Sequence, residues 1–214
     1  MTEINVSAHT PYHSQVNNKL YPLSSCNTTS AIMWMLNCGV SFQVPEGAQP
    51  EDHLTAITET PEAYDYMAKV APWAYQGTKA LMPPRRVHVC LAWAINRLAG
   101  REVARFREDA TYQELVAELA RGKAVIVSTV LTRAGHVVCL VGVRTRQDGM
   151  RDLRNPDLVR IDLIDGWIID DPYGDYWSGY KDQHGNDLYF PFDDFCRLTK
   201  ELYRNHKWAH IYVG

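Results

Sequence analysis

Cys26 stands where a polar run, Ser24-Ser25-Cys26-Asn27-Thr28-Thr29, gives way to an apolar one, Ala31-Ile32-Met33-Trp34-Met35-Leu36. Ala31, Ile32, Met35 and Leu36 recur at helical spacing. Ser24, Ser25, Asn27 and Thr28 are residue types whose side-chain oxygens accept from the free backbone N–H groups at a helix start. The pattern predicts a buried helix running to about Asn37 and ended by Gly39, with Cys26 at or just inside its N-terminus. The unpaired amides and the dipole there favour negative charge, so a thiol ionises more readily and becomes a nucleophile. On spacing alone, a small buried helix residue is the plainer alternative for Cys26.

A thiolate nucleophile needs a base, commonly His, and the base needs an acceptor that fixes its tautomer. His136 follows Gly135 and opens the apolar run His136-Val137-Val138-Cys139-Leu140-Val141, an unusual place for a polar residue. Asp171 closes the run Trp167-Ile168-Ile169-Asp170-Asp171 directly before Pro172, and a residue before proline is held extended. If the two runs are antiparallel neighbours, the start of one lies beside the end of the other, and His136 meets Asp171 at one edge of a sheet. Strand periodicity puts Trp167, Ile169 and Asp171 on one face and Ile168 and Asp170 on the other, so only one aspartate faces His136. The Asp171-Pro172 dipeptide favours Asp171.

Residues 5–16 are extended, with Gln15 eleven residues before Cys26. Short helices are expected over 52–58 and from Pro61 to about Val70, and a further one over 86–98, closed by Gly100. Thr111 and Glu114 form a capping box, so a helix starts at 112 and stops near Gly122. The period then changes. Residues 124–131 and 136–143 read as a hairpin of two strands, and 145–157 as an exposed charged loop. Leu158–Ile164 and Trp167–Asp170 are expected to pair around an Asp165-Gly166 turn. A Gly- and Tyr-rich loop over 172–187 follows, then a short strand at 188–190, a helix over 192–203 and a last strand over 208–213. The first half is mainly helical (1–122) and the second mainly antiparallel sheet (123–214), which predicts an α+β domain of two lobes.

The chain has 214 residues, a net charge of −3 and 46% hydrophobic residues, ordinary for a globular protein. No basic run supports nucleic-acid binding, and no stretch approaches the roughly 18 apolar residues of a membrane span. The N-terminus lacks a signal-peptide pattern, which leads us to expect a cytoplasmic protein. Five widely spaced cysteines without a C-x-x-C fit a reducing compartment rather than a disulfide framework or zinc knuckle. Cys139, Cys90 and Cys196 are expected in the core, and Cys38 partly exposed near a helix end. His13, His53, His88, His184, His206 and His210 show no metal-ligand spacing. The loop carrying Asp175, Asp182, His184, Asn186 and Asp187 is oxygen-rich enough for calcium but lacks EF-hand spacing, so a solvated turn is preferred. Trp73, Trp93, Trp167 and Trp177 are either core or cleft residues, with core as the default. No cofactor and no metal are expected.

Taken together, Gln15, Cys26, Gly135-His136 and Asp171-Pro172-Tyr173-Gly174 resemble papain-like cysteine peptidases of the bacteriocin-leader-processing superfamily, in particular its stand-alone bacterial and phage branch. The opening Pro11-Tyr12-His13-Ser14-Gln15 and the later Gly179-Tyr180 and Asn186 are similar to that branch. Asn27, where many relatives have glycine, departs from it. The resemblance implies a two-lobe papain-like fold with Cys26 as nucleophile, His136 as general base and acid, Asp171 orienting the histidine and Gln15 donating to the oxyanion. It also implies hydrolysis of a peptide amide, with the stem peptide of peptidoglycan, as for a phage endolysin, the expected substrate. Processing of a protein or leader peptide, acyl transfer by the same triad, and an inactive peptide-binding module are the alternatives.

Overall fold

The computed structural model describes residues 1–8, 10–199 and 206–214. In chain order its elements are β1 (Thr2–Asn5), α1 (Cys26–Asn37), α2 (Pro50–Thr58), α3 (Pro61–Val70), β2 (Tyr75–Gln76), β3 (Lys79–Ala80), α4 (His88–Ala99), β4 (Ala104–Thr111), α5 (Tyr112–Ala120), β5 (Val125–Thr129), β6 (His136–Thr145), α6 (Met150–Leu153), β7 (Ile164–Asp170), β8 (Leu188–Pro191), α7 (Phe192–Leu198) and β9 (His206–Tyr212). A 3-10 turn at Gln15–Asn17 precedes α1. α3 begins at Pro61 and α5 at Tyr112, capped by Thr111, as predicted. Thr111 accepts from the Glu114 N–H while Glu114 accepts from the Thr111 N–H, so the capping box is closed both ways.

An antiparallel sheet carries the architecture, in the order β4-β9-β5-β6-β7-β8. β1 pairs with residues 142–145 of β6, continuing along the edge that β5 occupies at residues 136–140. The sheet therefore draws strands from both halves of the chain, and the fold is α+β. Helices cover both faces. Val137, Cys139, Val141 and Ile168 face α1 and α4, packing with Ile32, Trp34 and Leu91. Val138, Leu140, Trp167 and Ile169 face α5 and α7, with Leu115, Leu119 and Phe195. A register shift between Leu140 and Gly142 resets the alternation, so Val143 turns to the α5 side, as a β-bulge does.

Three sequence expectations are corrected here. Asp165-Gly166 is not a turn: β7 runs from Ile164 straight through it, and 158–163 is no strand, since one 3-10 turn ends at Leu158 and a second spans Ile161–Leu163. Gly166 serves close approach, since a Cβ there would lie 2.4 Å from the Phe190 carbonyl oxygen. β4, which the sequence did not announce, is an edge strand bearing Arg105, Arg107, Glu108 and Asp109, bulged between Arg107 and Ala110. Such charges on an edge protect it from further pairing and hide its periodicity. The helix expected over 192–203 ends at Leu198, and residues 200–203 of it lie outside the described residues.

Candidate active site

Cys26 is the first residue of α1, half-buried, with Ser25 as the preceding non-helical residue. Ser25 does not cap the helix with its side chain, contrary to expectation. Its hydroxyl instead accepts from Asn18 Nδ2 at 2.9 Å, and the same amide donates to Thr29 Oγ1 at 2.9 Å, pinning the first turn to the preceding segment. Asn27, the departure from the family pattern, braces the helix start. Its amide donates to the Arg85 carbonyl, and its oxygen accepts from the Thr28 N–H. Ser30 Oγ donates to the Val137 carbonyl at 2.9 Å, which ties this turn to the start of β6.

His136 is the first residue of β6 and is buried. β6 and β7 are antiparallel with Cys139 opposite Asp170, which sets Asp171 just past the end of β7, beside the first residues of β6. His136 Nε2 donates to Asp171 Oδ1 at 2.6 Å. The ring's other nitrogen, Nδ1, is left for the Cys26 thiol, whose charged form His136 favours. Asp170 points elsewhere: its Oδ1 accepts from the Asp187 N–H at 2.9 Å. Burial raises the Asp170 carboxyl to about 7, against the Asp187 N–H, which lowers it.

The electrostatics of the three groups follow from their contacts. Burial on its own pushes the Cys26 thiol up. The His136 hydrogen bond and charge, with the Val137 and Asn27 N–H groups, outweigh it and hold the thiol below its ordinary value. Burial pushes the His136 imidazolium down, but Asp171 and Cys26 raise it to about 10. The two shifts have opposite signs and both favour a thiolate–imidazolium pair.

Asp171 is fully buried and held from several sides. Its Oδ1 also accepts from the Tyr173 N–H at 2.9 Å, and its Oδ2 from the Tyr180 hydroxyl at 3.3 Å. The Tyr12 hydroxyl donates to the Asp171 carbonyl at 2.6 Å, and the Asp171 N–H donates to the Gly185 carbonyl at 2.7 Å. Burial and the Asp171 charge raise the Tyr180 phenol well above its usual range, so it stays protonated and remains a donor. The segment before α1 is thus laced to the loop after β7, and the Gln15 N–H donates to the Pro172 carbonyl at 2.8 Å.

That lacing sets Gln15 in the wall of the same cleft as Cys26, at 2% exposure. Its Nε2 donates to the Pro22 carbonyl at 2.9 Å, which occupies one of its two hydrogens, while Oε1 is buried without a partner. All four predicted site residues therefore border or underlie one cleft of about 650 Å³. Sequence reasoning missed the residues that shape the rest of it: Arg86 from the turn before α4, Arg133 from the β5–β6 turn, and His88 and Trp208. These come from three segments far apart in the sequence, 86–88, Arg133 and Trp208.

Trp167 is core, stacked on Phe195 with centroids 5.0 Å apart. Trp93 stacks on Tyr66 beside a second, smaller depression, and Trp73 and Trp177 are exposed. Cys38 is buried rather than partly exposed, its thiol directed at the Ala124 carbonyl. Cys90 and Cys139 are buried, and Cys196 is partly buried against the core. His88 and His210, far apart in sequence, hydrogen-bond at 3.0 Å. In the 175–187 loop, Asp175 and Asp182 accept from backbone N–H groups, and Asp187 accepts from Asn5 and Ser7. No metal-binding group of His, Cys, Asp and Glu occurs among the described residues, and no helix among them is long and apolar enough to cross a membrane.

A family model described as the Peptidase_C39 like family matches residues 8–190, a span that runs from the segment before Gln15 to β8 and includes the whole cysteine, histidine and aspartate constellation. The chain belongs to the Peptidase_C39-like family. It is thereby a member of the papain-like C39 cysteine peptidase superfamily, and its α+β fold is consistent with that membership. No curated protein and no solved structure matches it.

Proposed function

We propose that the protein is a thiol-dependent amide hydrolase in which Cys26 is the nucleophile, His136 the general base and acid, Asp171 the residue that orients His136, and Gln15 an oxyanion donor. The observation that carries the reading is the buried His136, bonded to Asp171 Oδ1 at 2.6 Å and lining the same cleft as Cys26, whose charged form it favours. The Cys26 thiolate attacks the carbonyl carbon of a peptide bond, and the developing oxyanion is met by the second Nε2 hydrogen of Gln15 and the N-terminal amides of α1. The C–N bond breaks as the His136 imidazolium gives its proton to the leaving amine, leaving a thioester on Cys26. His136, now neutral, takes a proton from water, and the resulting hydroxide equivalent cleaves the thioester to a carboxylic acid and regenerates the thiolate–imidazolium pair.

The finer reading is that the amide lies in the peptide part of bacterial peptidoglycan, as for an endolysin-like enzyme. Its support is the resemblance to the stand-alone branch and a cleft of a size to grip a short peptide. The test is digestion of purified sacculi and of a peptide panel by wild type and by Cys26→Ala, with products read by mass. Muropeptide release that depends on Cys26 is the expected result. Cleavage of unfolded protein or a double-glycine leader without muropeptide release replaces the wall reading with a protein-processing peptidase. Turnover of any substrate by folded Cys26→Ala overturns the nucleophile.

A further inference from the structure

The charges around the cleft are one-sided. Arg85, Arg86, His88, Arg133 and His136 line it, and no Asp or Glu among the described residues does. This runs against the chain as a whole, in which 25 carboxylates outnumber 22 lysines and arginines. The one acidic member of the constellation, Asp171, is fully buried behind His136 and outside the lining. The three arginines differ in what they have left to offer. Arg85 is buried, paired with Glu59 and stacked over the Tyr21 ring at 3.8 Å, so its charge is already answered within the fold. Arg86 and Arg133 are exposed, and neither forms an ion pair with a carboxylate among the described residues. They reach the same cleft from two separate segments, the 84–86 turn and the 132–135 turn. The remaining lining includes exposed apolar side chains, Leu23 and Val130.

Resting on the assignment of Cys26 as nucleophile, we propose that this cleft selects peptides that carry a carboxylate close to the scissile amide, with Arg86 and Arg133 as the residues that read it. A guanidinium offers a carboxylate two parallel charge-assisted hydrogen bonds, and it keeps its charge throughout the working pH range. A wall free of carboxylates also excludes the competing choice, since a Lys or Arg side chain at that position of the substrate would face like charge with no partner. Leu23 and Val130 give the same peptide an apolar contact, so specificity is for an acidic residue next to an apolar one rather than for a uniformly acidic chain.

The test uses matched fluorogenic peptides, built on the sequence that wild type cuts fastest in a mixed panel, with Glu, Gln or Lys in turn at each position flanking the cut. At one flanking position, wild type is expected to prefer Glu over Gln by roughly tenfold in kcat/KM, the scale of one charge-assisted contact. The preference falls as sodium chloride is raised, because exposed charges are screened. Arg86→Glu or Arg133→Glu collapses the Glu-to-Gln ratio and raises the Lys-to-Gln ratio, a reversal that a merely unfolded variant does not produce. Equal rates for Glu and Gln at every position, or ratios unmoved in both variants, overturn the proposal while leaving the nucleophile in place. If no peptide is cut although iodoacetamide labels Cys26 selectively, the substrate class is wrong and the activated thiol stands. If Cys26 is not selectively labelled, the underlying assignment fails.

Discussion

Replacing Asp171 with Asn removes one charge and leaves the shape of the site in place. The Asp171 oxygen that receives His136 Nε2 also receives the Tyr173 N–H. Two donors converge on one atom, so an asparagine must present its carbonyl oxygen there, and the histidine keeps its tautomer. Its amide nitrogen then meets the Tyr180 hydroxyl, which can accept as well as donate. What is lost is the charge. A hydrogen bond to an ionised group is worth about 1.5–3 kcal/mol and a neutral one about 0.5–1.5, so imidazolium stabilisation falls by roughly 1–1.5 kcal/mol, or about one pKa unit.

The sign of the effect is fixed by the two shifts. His136 is raised and Cys26 lowered because each stabilises the charged form of the other. Asp171 stabilises the imidazolium whether Cys26 is thiol or thiolate, so weakening it lowers His136 and leaves the first ionisation of Cys26 in place; the ion-pair window narrows from its alkaline end. The assay is the iodoacetamide alkylation rate against pH, which needs no substrate. For Asp171→Asn the alkaline limb, set by His136 deprotonation, moves down by about one unit, while the acid limb, in which His136 stays protonated throughout, keeps its place. Asp171→Ala, which strands the buried His136 and Tyr173 donors, also loses stability, by about 1–3 kcal/mol per orphaned group. An unmoved alkaline limb in Asp171→Asn, or a moved one in Asp170→Asn, refutes the assignment of Asp171.

Cys26→Ala is expected to melt like wild type and to lose all turnover, whereas Cys139→Ala, at the core of the sheet, loses roughly 1 kcal/mol in thermal unfolding and keeps its alkylation profile. Gln15→Ala is expected to lower kcat by about a hundred- to a thousandfold with little change in KM, and unchanged turnover removes Gln15 from the oxyanion site. His136→Ala is expected to be as damaging as loss of Cys26, because members of a triad act as a unit. For Asp170, the folded carboxyl holds its proton to about 7 while the unfolded one releases it near 3.9, so wild-type stability drains away as pH rises across that window. Asp170→Asn is therefore more stable than wild type at pH 8, by up to about 4 kcal/mol, with the gain vanishing below the window; equal denaturation midpoints at both pH values rule this out.

Much of the scaffold was legible because its signals are local. Pro61, the Thr111–Glu114 box and Gly100 each mark a helix end through their own backbone chemistry, and each does so here. The strands of the His136 hairpin are legible because they are buried on both faces and read as unbroken apolar runs. β4 was not, because only Ala104 and Ala110 of its residues are buried and its charges serve an edge. Asp165-Gly166 misled for the opposite reason: the dipeptide suits a turn, but tertiary packing against β8 gives the glycine a different use. At the site, Cys26, His136 and Asp171 were legible because each sits at the end of an element, where sequence patterns change. Arg86, Arg133 and Trp208 were not, because only the fold brings them together.

The Gly- and Tyr-rich stretch after Asp171 shows how the sheet edge becomes a site. A carboxylate at a strand end is ordinarily wet, and a wet Asp171 would hold His136 weakly. Here the loop folds back until a Cβ on Gly185 would lie 2.2 Å from the Asp171 carbonyl oxygen and 2.7 Å from that of Gly174. That contact is backbone against backbone, so nothing flexible can give way. Only glycine allows the Gly185 carbonyl to accept from the Asp171 N–H while Tyr12 covers the Asp171 carbonyl from the other side. Gly185→Ala must therefore push the loop outward, loosen Tyr180 from Asp171 and admit water, although it changes no charge and touches no reacting atom. Its alkaline alkylation limb is expected to move in the same direction as that of Asp171→Asn, with a lowered melting temperature. If Gly185→Ala melts earlier and its limb stays at the wild-type position, burial of Asp171 contributes to stability alone and the dry loop has no part in activating the thiol.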